Sequence, residues 1–283
     1  MKKKILVLGA TGLLGTSLEK VFTRDKNYRY VGCSHQDIDI TDKKKLQKLL
    51  KKHRPNFVIN TVALIGINFC EDNPQKIMNV NAFSVFNLAK ICRSLDITLV
   101  QISTHAVFDG TSRKPYEEKE KTNPLNIYGY SKLVGEYFVK MNLKNYYILR
   151  MPTMYGPRRN KSLGFVDKMV NNMKQGKNLK IAGDRIDSPS YSLTLSRKIK
   201  KLIGKKKYGI HHISDKGVVS YYEFIKELSK IIGFKGKVQK VKDKEFPSAA
   251  PNPLRVAISS KNGTGVYWKN ALREYVKNEN LKC

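Results

Sequence analysis

Three glycines fall within seven residues near the start of the chain, Gly9-Ala10-Thr11-Gly12-Leu13-Leu14-Gly15, directly after the apolar run Ile5-Leu6-Val7-Leu8. A buried strand that passes through a glycine turn into an amphipathic helix is built to hold a diphosphate. Gly9 permits the tight turn, Gly12 lets the backbone approach the pyrophosphate, and Gly15 lets the helix lie close on the strand. The helix N-terminus adds free amides and the positive end of its dipole. Thr11, Leu13 and Leu14 belong to the same turn and are expected beside the dinucleotide.

The rest of the chain supplies a sheet for that turn. Apolar, β-rich runs at Tyr28–Cys33, Phe57–Asn60, Thr98–Ser103 and Tyr146–Arg150 alternate with helical periodicity at Lys43–His53, Ile77–Leu95 and Tyr128–Met141. Such alternation predicts an α/β fold, a Rossmann-type doubly wound parallel sheet that binds ligands beyond its strand C-termini. Past Met151 the pattern loosens into helical segments near Phe165–Gln175, Leu193–Ile203 and Tyr221–Ile232, a short strand at Tyr208–Ile213, and prolines at Pro247, Pro251 and Pro253. The expectation is a dinucleotide-binding domain over residues 1–152 and a smaller, partly interleaved substrate domain over 153–283, with segments returning to the first.

At 283 residues and 41% hydrophobic content the chain can bury a substantial core. Its 54 Lys and Arg against 23 Asp and Glu give a formal charge of +31, which raises the question of a nucleic-acid partner. The lysines are scattered, however, as Lys43-Lys44-Lys45, Lys51-Lys52, Lys200-Lys201 and Lys205-Lys206-Lys207, with no interleaved aromatics. We read a solvated basic surface that attracts anionic small molecules, with no nucleic-acid function. Cys33, Cys70, Cys92 and Cys283 have neither metal-ligand nor disulfide spacing, so no metal is expected and a reducing cytoplasm fits. Lys2-Lys3-Lys4 mimics the start of a signal peptide, but Gly9 and Gly12 interrupt the apolar run and no cleavage site follows. No segment approaches a membrane span.

A second motif carries chemistry. Tyr128 and Lys132, in Tyr128-Gly129-Tyr130-Ser131-Lys132, stand four apart and share a helical face. A tyrosine can protonate a carbonyl under reduction, but its ordinary pKa of ~10 is high for work near neutrality. Lowering it by roughly three units takes about 4 kcal/mol. An ammonium ~4 Å away at an effective dielectric of ~20 supplies about that much. Upstream, Gln101-Ile102-Ser103-Thr104 ends a strand at the ligand edge of the sheet, placing the Thr104 hydroxyl within reach of a substrate carbonyl. The same hydroxyl could instead cap a turn.

With these residues in view the chain resembles the extended short-chain dehydrogenase/reductases, and within them the dTDP-4-dehydrorhamnose reductase family. The resemblance covers nearly the whole length. It runs through Gly9–Gly15, Asp39-Ile40-Thr41-Asp42, Val58-Ile59-Asn60, Asn79-Val80-Asn81, Ser103–Gly110, Pro115-Tyr116-Glu117-Glu118, Pro124–Glu136, Leu149-Arg150, Tyr155-Gly156 and Ser188-Pro189-Ser190. It implies NAD(P)H-dependent reduction of a nucleotide-linked 4-keto-6-deoxy sugar, in deoxysugar or cell-surface polysaccharide biosynthesis. Thr104 would orient the carbonyl, Tyr128 would give the proton, and Lys132 would tune Tyr128 and hold the nicotinamide ribose. Asp39 and Ile40 would contact the adenine; Asn60, Val62 and Ala63 would line the cofactor path, and Ser103 would border the nicotinamide. For Asp39 the competing role is a helix cap, shared with Asp42. His105, Ala106, Met154 and Arg255 would face the sugar nucleotide, and a homodimer is compatible with the resemblance.

Departures from the family pattern concentrate at the sugar. His105-Ala106 replaces Asp-Tyr, Asn252-Pro253 replaces Arg-Pro with Arg255 close by as a substitute for a phosphate contact, and Phe69 stands where lysine is common. The substrate is therefore open within the class. A dehydratase would need Asp-Glu after Thr104, to move protons at neighbouring carbons. An epimerase, which uses the same Tyr and Lys without net redox change, and a non-catalytic regulatory subunit resembling that of methionine adenosyltransferase are the alternatives. The cofactor expectation is NADPH, with NADH also usable. The second strand ends Val31-Gly32-Cys33-Ser34-His35-Gln36 with no carboxylate before Asp37, leaving Ser34 and His35 to meet a 2′-phosphate.

Overall fold

The structure, a computed structural model, describes residues 2–160, 163–259 and 263–283. The first half runs β1 (Lys3–Leu8), α1 (Leu13–Phe22), β2 (Tyr28–Cys33), α2 (Lys43–His53), β3 (Phe57–Asn60), α3 (Ile67–Asp72), α4 (Pro74–Met78), a π-helical turn (Asn79–Phe83), α5 (Ser84–Ser94), β4 (Thr98–Thr104), a 3₁₀ turn (His105–Val107), α6 (Ile127–Asn142) and β5 (Tyr146–Met151). The second half adds β6 (Met154–Tyr155), α7 (Phe165–Lys174), β7 (Leu179–Ala182), β8 (Ile186–Asp187), β9 (Ser190–Tyr191), α8 (Ser192–Gly204), β10 (Gly209–His212), β11 (Val219–Ser220), α9 (Tyr221–Ile231), β12 (Val238–Val241) and α10 (Trp268–Asn278).

Six strands form one parallel sheet in the order β10-β5-β4-β3-β1-β2. Ile5, Leu6, Val7 and Leu8 are all fully buried, as a strand covered on both faces requires. One layer is α1 and α8, whose Leu14, Leu18, Leu195 and Ile199 pack on Val7, Ile59 and Val100. The opposite layer is α2, α5 and α6, with Leu46, Leu50, Leu88 and Val139 against Leu6, Val58 and Leu99. Helix α2 shows how a lysine-rich segment folds: Leu46 and Leu50, one turn apart, are buried, Asp42 caps its start by accepting from Lys45 N at 2.9 Å, and Lys51, Lys52 and His53 lie in the last turn, near the negative end of the dipole.

The expected helical stretch Ile77–Leu95 carries an interruption. The segment is helical throughout, but the π turn at Asn79–Phe83 divides it. The turn places Asn81 in the interior, where its carboxamide accepts from Leu64 N and donates to Leu64 O, both at 2.9 Å, and reaches Ser131 Oγ at 3.1 Å. An inserted residue that re-aims one side chain leaves the apolar periodicity almost unchanged, so the pattern could not reveal it.

The second half packs a separate core of Tyr155, Val170, Ile181, Tyr191, Phe224, Leu228, Trp268 and Leu272, with three two-stranded pairs, β6–β9, β7–β12 and β8–β11. It also returns to the sheet. Strand β10 pairs with β5 from Gly209↔Tyr147 to His212↔Arg150, completing the edge. Arg159 N and Asn160 N both donate to Thr11 O, at 2.9 and 3.0 Å, tying the segment after β6 to the glycine turn. Among the described residues no helix is long and apolar enough to cross a membrane, and no cluster of His, Cys, Asp or Glu is suited to a metal ion.

Candidate active site

Strand order reverses between β1 and β3, and a cleft of about 460 Å³ opens there above Leu8. Gly9, Thr11, Gly12, Ser34, His35, Asp39, Ile40, Val62 and Ala63 line it, and Thr61, Leu64, Val80 and Asn160 complete the wall. Gly9 turns at φ +81°, and a β-carbon on Gly12 would meet nothing nearer than Gly9 O at 3.3 Å, so the turn stays open to a phosphate. Asp39 keeps its carboxylate in a local turn, accepting from Thr41 N at 2.8 Å and Thr41 Oγ1 at 2.7 Å, bonds that hold its pKa below the ordinary value. Asp42 is the cap of α2.

Five expected cofactor residues do not line this cleft. Leu14 and Gly15 are buried residues of α1 itself, and Leu13 opens that helix outside the cleft lining. Asn60 is fully buried; it donates to Gln101 Oε1 at 2.8 Å and accepts from Val62 N at 3.2 Å, so it shapes the wall without forming it. Ser103 turns away from the ligand edge and donates to Glu136 at 2.5 Å. Ser34 lines the cleft, but its N–H and hydroxyl both donate to Asp37 Oδ2 at 2.7 Å, which lowers the Asp37 pKa and places a carboxylate where Ser34 was expected to be free.

The reactive groups meet where β4 ends. Thr104 Oγ1 accepts from Ala106 N at 3.1 Å, the local capping role, and lies near enough to the Tyr128 side chain to favour its ionised form. Helix α6 brings Tyr128 there because Asn126 caps its start, accepting from Gly129 N at 3.0 Å, while Glu71 accepts from Ile127 N at 2.8 Å. Gly129 is required: any β-carbon there would collide with the Ala106 carbonyl and Pro124. Burial pushes the Tyr128 phenol up to about 12, against the lowering effect of Thr104. This corrects the expectation of a tyrosine drawn toward neutrality by Lys132. Lys132 is itself 4% exposed, and burial brings its ammonium down to about 8 although Glu136 opposes the change. Desolvation is the largest influence on both groups.

Below Lys132 lies a buried polar cluster that spacing alone did not reveal. Glu136, one turn further along α6, is held by Arg150 Nε at 3.0 Å, Arg150 Nη2 at 2.7 Å and Ser103. The i,i+4 relation between Lys132 and Glu136 was a readable signal; the Arg150 contact, between separate elements, was not. The Lys132 ammonium makes no hydrogen bond or ion pair among the described residues, which leaves it available to a ribose hydroxyl. The cleft, the open Gly12 and this ammonium fit a dinucleotide.

The second half closes the other side. Arg185 donates to Asp243 at 2.8 Å and lies 5.5 Å over the Tyr221 ring, in a pocket of about 320 Å³ shared with Phe165, Phe246 and Asn252. The Asn252 carboxamide oxygen accepts from the Arg185 guanidinium. Arg255, expected as the cationic substitute beside Asn252, is exposed and does not line this pocket; Arg185 holds that place. Met154 is half-buried against the main core, and Ala106 is buried in the 3₁₀ turn. His105 meets Asp187, its Nδ1 lying 3.3 Å from Asp187 Oδ1. Nothing in the sequence linked these two, because 82 positions separate them.

A cleft at the switch point of a parallel sheet, with Thr104 at the end of β4 and Tyr128 and Lys132 on α6, defines a Rossmann-fold oxidoreductase of the short-chain dehydrogenase/reductase class. Residues 2–280 match the family model of the RmlD substrate binding domain, and the chain belongs to that family. It is similar to the Bacillus subtilis spore coat polysaccharide biosynthesis protein SpsK, 28% identical over 285 residues and 99% of each chain. Among solved structures it is similar to a dTDP-4-dehydrorhamnose reductase from Clostridium acetobutylicum, with 34% identity, TM-score 0.92 and coverage of 98% of this chain and 99% of that one. The Bacillus anthracis dTDP-4-dehydrorhamnose reductase, solved in complex with NADP, gives 29% identity, TM-score 0.92 and coverage of 98% and 100%.

Proposed function

We propose that the protein is an NADPH-dependent reductase of a dTDP-linked 4-keto-6-deoxy sugar, acting in deoxysugar or cell-surface polysaccharide biosynthesis. The observation that carries this reading is the meeting of Thr104 and Tyr128 at the end of β4, with the unpaired Lys132 one turn along the same helix face. Relatives and structural neighbours bearing reductase and polysaccharide names support it, as does the NADP complex of the Bacillus anthracis protein.

The dinucleotide, when bound, supplies the hydride. Thr104 and Tyr128 orient the ketone oxygen between their hydroxyls, and Tyr128 gives its proton to that oxygen as negative charge develops there. Burial keeps Tyr128 protonated beforehand, the state a donor needs. Lys132 holds the ribose and stabilises the phenolate that remains after transfer. The wall from Gly9 to Ala63 binds the cofactor, and the pocket around Arg185 and Tyr221 offers a cation and aromatic surface to the nucleotide end of the substrate. The Asp37 carboxylate beside Ser34 makes the preference for NADPH over NADH modest. The surplus of positive charge favours both anionic ligands. The reading includes a cytoplasmic location, in which the four free thiols stay reduced, and a homodimer as the assembly.

The test is oxidation of NADPH, and separately NADH, by the purified protein supplied with dTDP-4-keto-6-deoxy-D-glucose and related ketosugars. Turnover with stoichiometric alcohol formation is expected. Interconversion of sugars without net NADPH loss would indicate an epimerase. Cofactor binding without turnover on any ketosugar would indicate a regulatory role.

A further inference from the structure

His105 directly follows Thr104, so its backbone lies one residue, about 3.8 Å, from the group that orients the ketone. Its side chain is 13% exposed, and Nδ1 is completely buried, makes no hydrogen bond, and has the Asp187 carboxylate facing it at 3.3 Å. The open part of the ring is therefore the side away from Nδ1. Asp187 has no exposure at all and is fixed independently of His105: Oδ2 accepts from Thr153 N at 3.1 Å and Oδ1 from Ser188 N at 2.7 Å. It comes from β8, in the second half of the chain. Burial pushes its acid constant up, but His105 and the bonds from Thr153 and Ser188 outweigh burial and keep it a carboxylate.

A buried nitrogen facing a carboxylate carries its proton on that side, and the tautomer of the ring follows from it. We propose that Asp187 is a positioning residue that holds Nδ1–H of His105 inward, so that Nε2 is the atom the imidazole offers to a sugar hydroxyl beside the keto carbon. This deepens the reductase reading and rests on it. In a 4-keto-6-deoxyhexose the carbons flanking the ketone are C3, which bears a hydroxyl, and C5, which bears the ring oxygen and the methyl group. The hydroxyl in question is thus the one on C3. The neutral ring accepts a hydrogen bond from it and the protonated ring donates one. A site built around that hydroxyl discriminates against a sugar deoxygenated at C3.

The experiment is a double-mutant cycle on His105→Ala and Asp187→Asn, with dTDP-4-keto-6-deoxy-D-glucose as substrate and NADPH as reductant. Each single variant is expected to raise KM for the sugar about tenfold, with kcat within about threefold of the parent and KM for NADPH unchanged, as loss of one ground-state hydrogen bond requires. Asp187→Asn added to His105→Ala should then have no further effect. Additive losses in the double variant, or an unchanged sugar KM in Asp187→Asn, would overturn the proposal. A measurement on the parent protein covers the case in which Asp187→Asn does not fold or the sugar is not turned over. The ¹⁵N spectrum of His105, recorded at a pH where the ring is neutral, should show Nδ1 protonated and Nε2 bare; the opposite tautomer refutes the assignment.

Discussion

At the scale of single residues, the site combines a tyrosine kept protonated and a lysine kept only loosely so. Tyr128→Phe removes the proton donor while retaining the ring, and should lower kcat by roughly 10²–10⁴-fold with little change in the unfolding midpoint. Steady-state rates beside a urea titration check it; an active variant would mean that another acid supplies the proton. Lys132 makes a different prediction. Its proton is held less tightly in the fold, at about 8, than at the ordinary 10.5, so the unfolded chain binds more protons between those values. Stability therefore rises with pH across that window, and below about pH 8 the buried ammonium costs the fold on the order of 3 kcal/mol. Lys132→Met should remove most turnover yet raise the melting temperature near neutrality, since Glu136 keeps Arg150 and Ser103 as partners. A lower melting temperature would show that Lys132 stabilises the cluster. Tyr128 and Lys132 could be read as a pair because they stand four apart on one helix, and Thr104 could be placed because it ends an apolar strand. Asp187 and Arg185 were not, because only the folded second half brings them to the site.

At the scale of elements, close approach decides more than propensity. Helix α1 can leave β1 where it does because Gly15 has no β-carbon; one placed there would run into Gly9 O and the Ala10 backbone. Gly15→Ala should cost about 1–3 kcal/mol of stability by overpacking and tilt the turn away from its phosphate-binding form. Denaturant titration and NADPH binding, measured on the same sample, should both weaken. A variant that loses stability but keeps parental NADPH affinity would show that the turn is rigid apart from its helix. The main strands and helices were readable as alternating apolar runs, since a sheet covered on both faces enforces that pattern. The π turn at Asn79–Phe83, which lets Asn81 hold the loop at Leu64, left no mark in the periodicity.

At the scale of the whole molecule, the two halves share a sheet. The sequence suggested a division after residue 152 with segments returning to the first part, and β10 is such a segment. A fragment ending at residue 152 would expose β5, with the apolar Tyr147, Ile148 and Leu149, as an unprotected edge. That fragment should be recovered largely as aggregate, whereas one extended through β10 and Ile213 should be more soluble. Size-exclusion chromatography of both decides it, and a monomeric, cooperatively melting 1–152 fragment would show that the edge is dispensable. The same pairing bears on the order of events during synthesis. The strands through β5 leave the ribosome before their neighbour exists, and about 60 further residues must be added, taking ~3–12 s at ~5–20 residues per second. Throughout that interval the nascent sheet has an open flank, so chaperone occupancy should peak after β5 emerges and fall once His212 has cleared the exit tunnel.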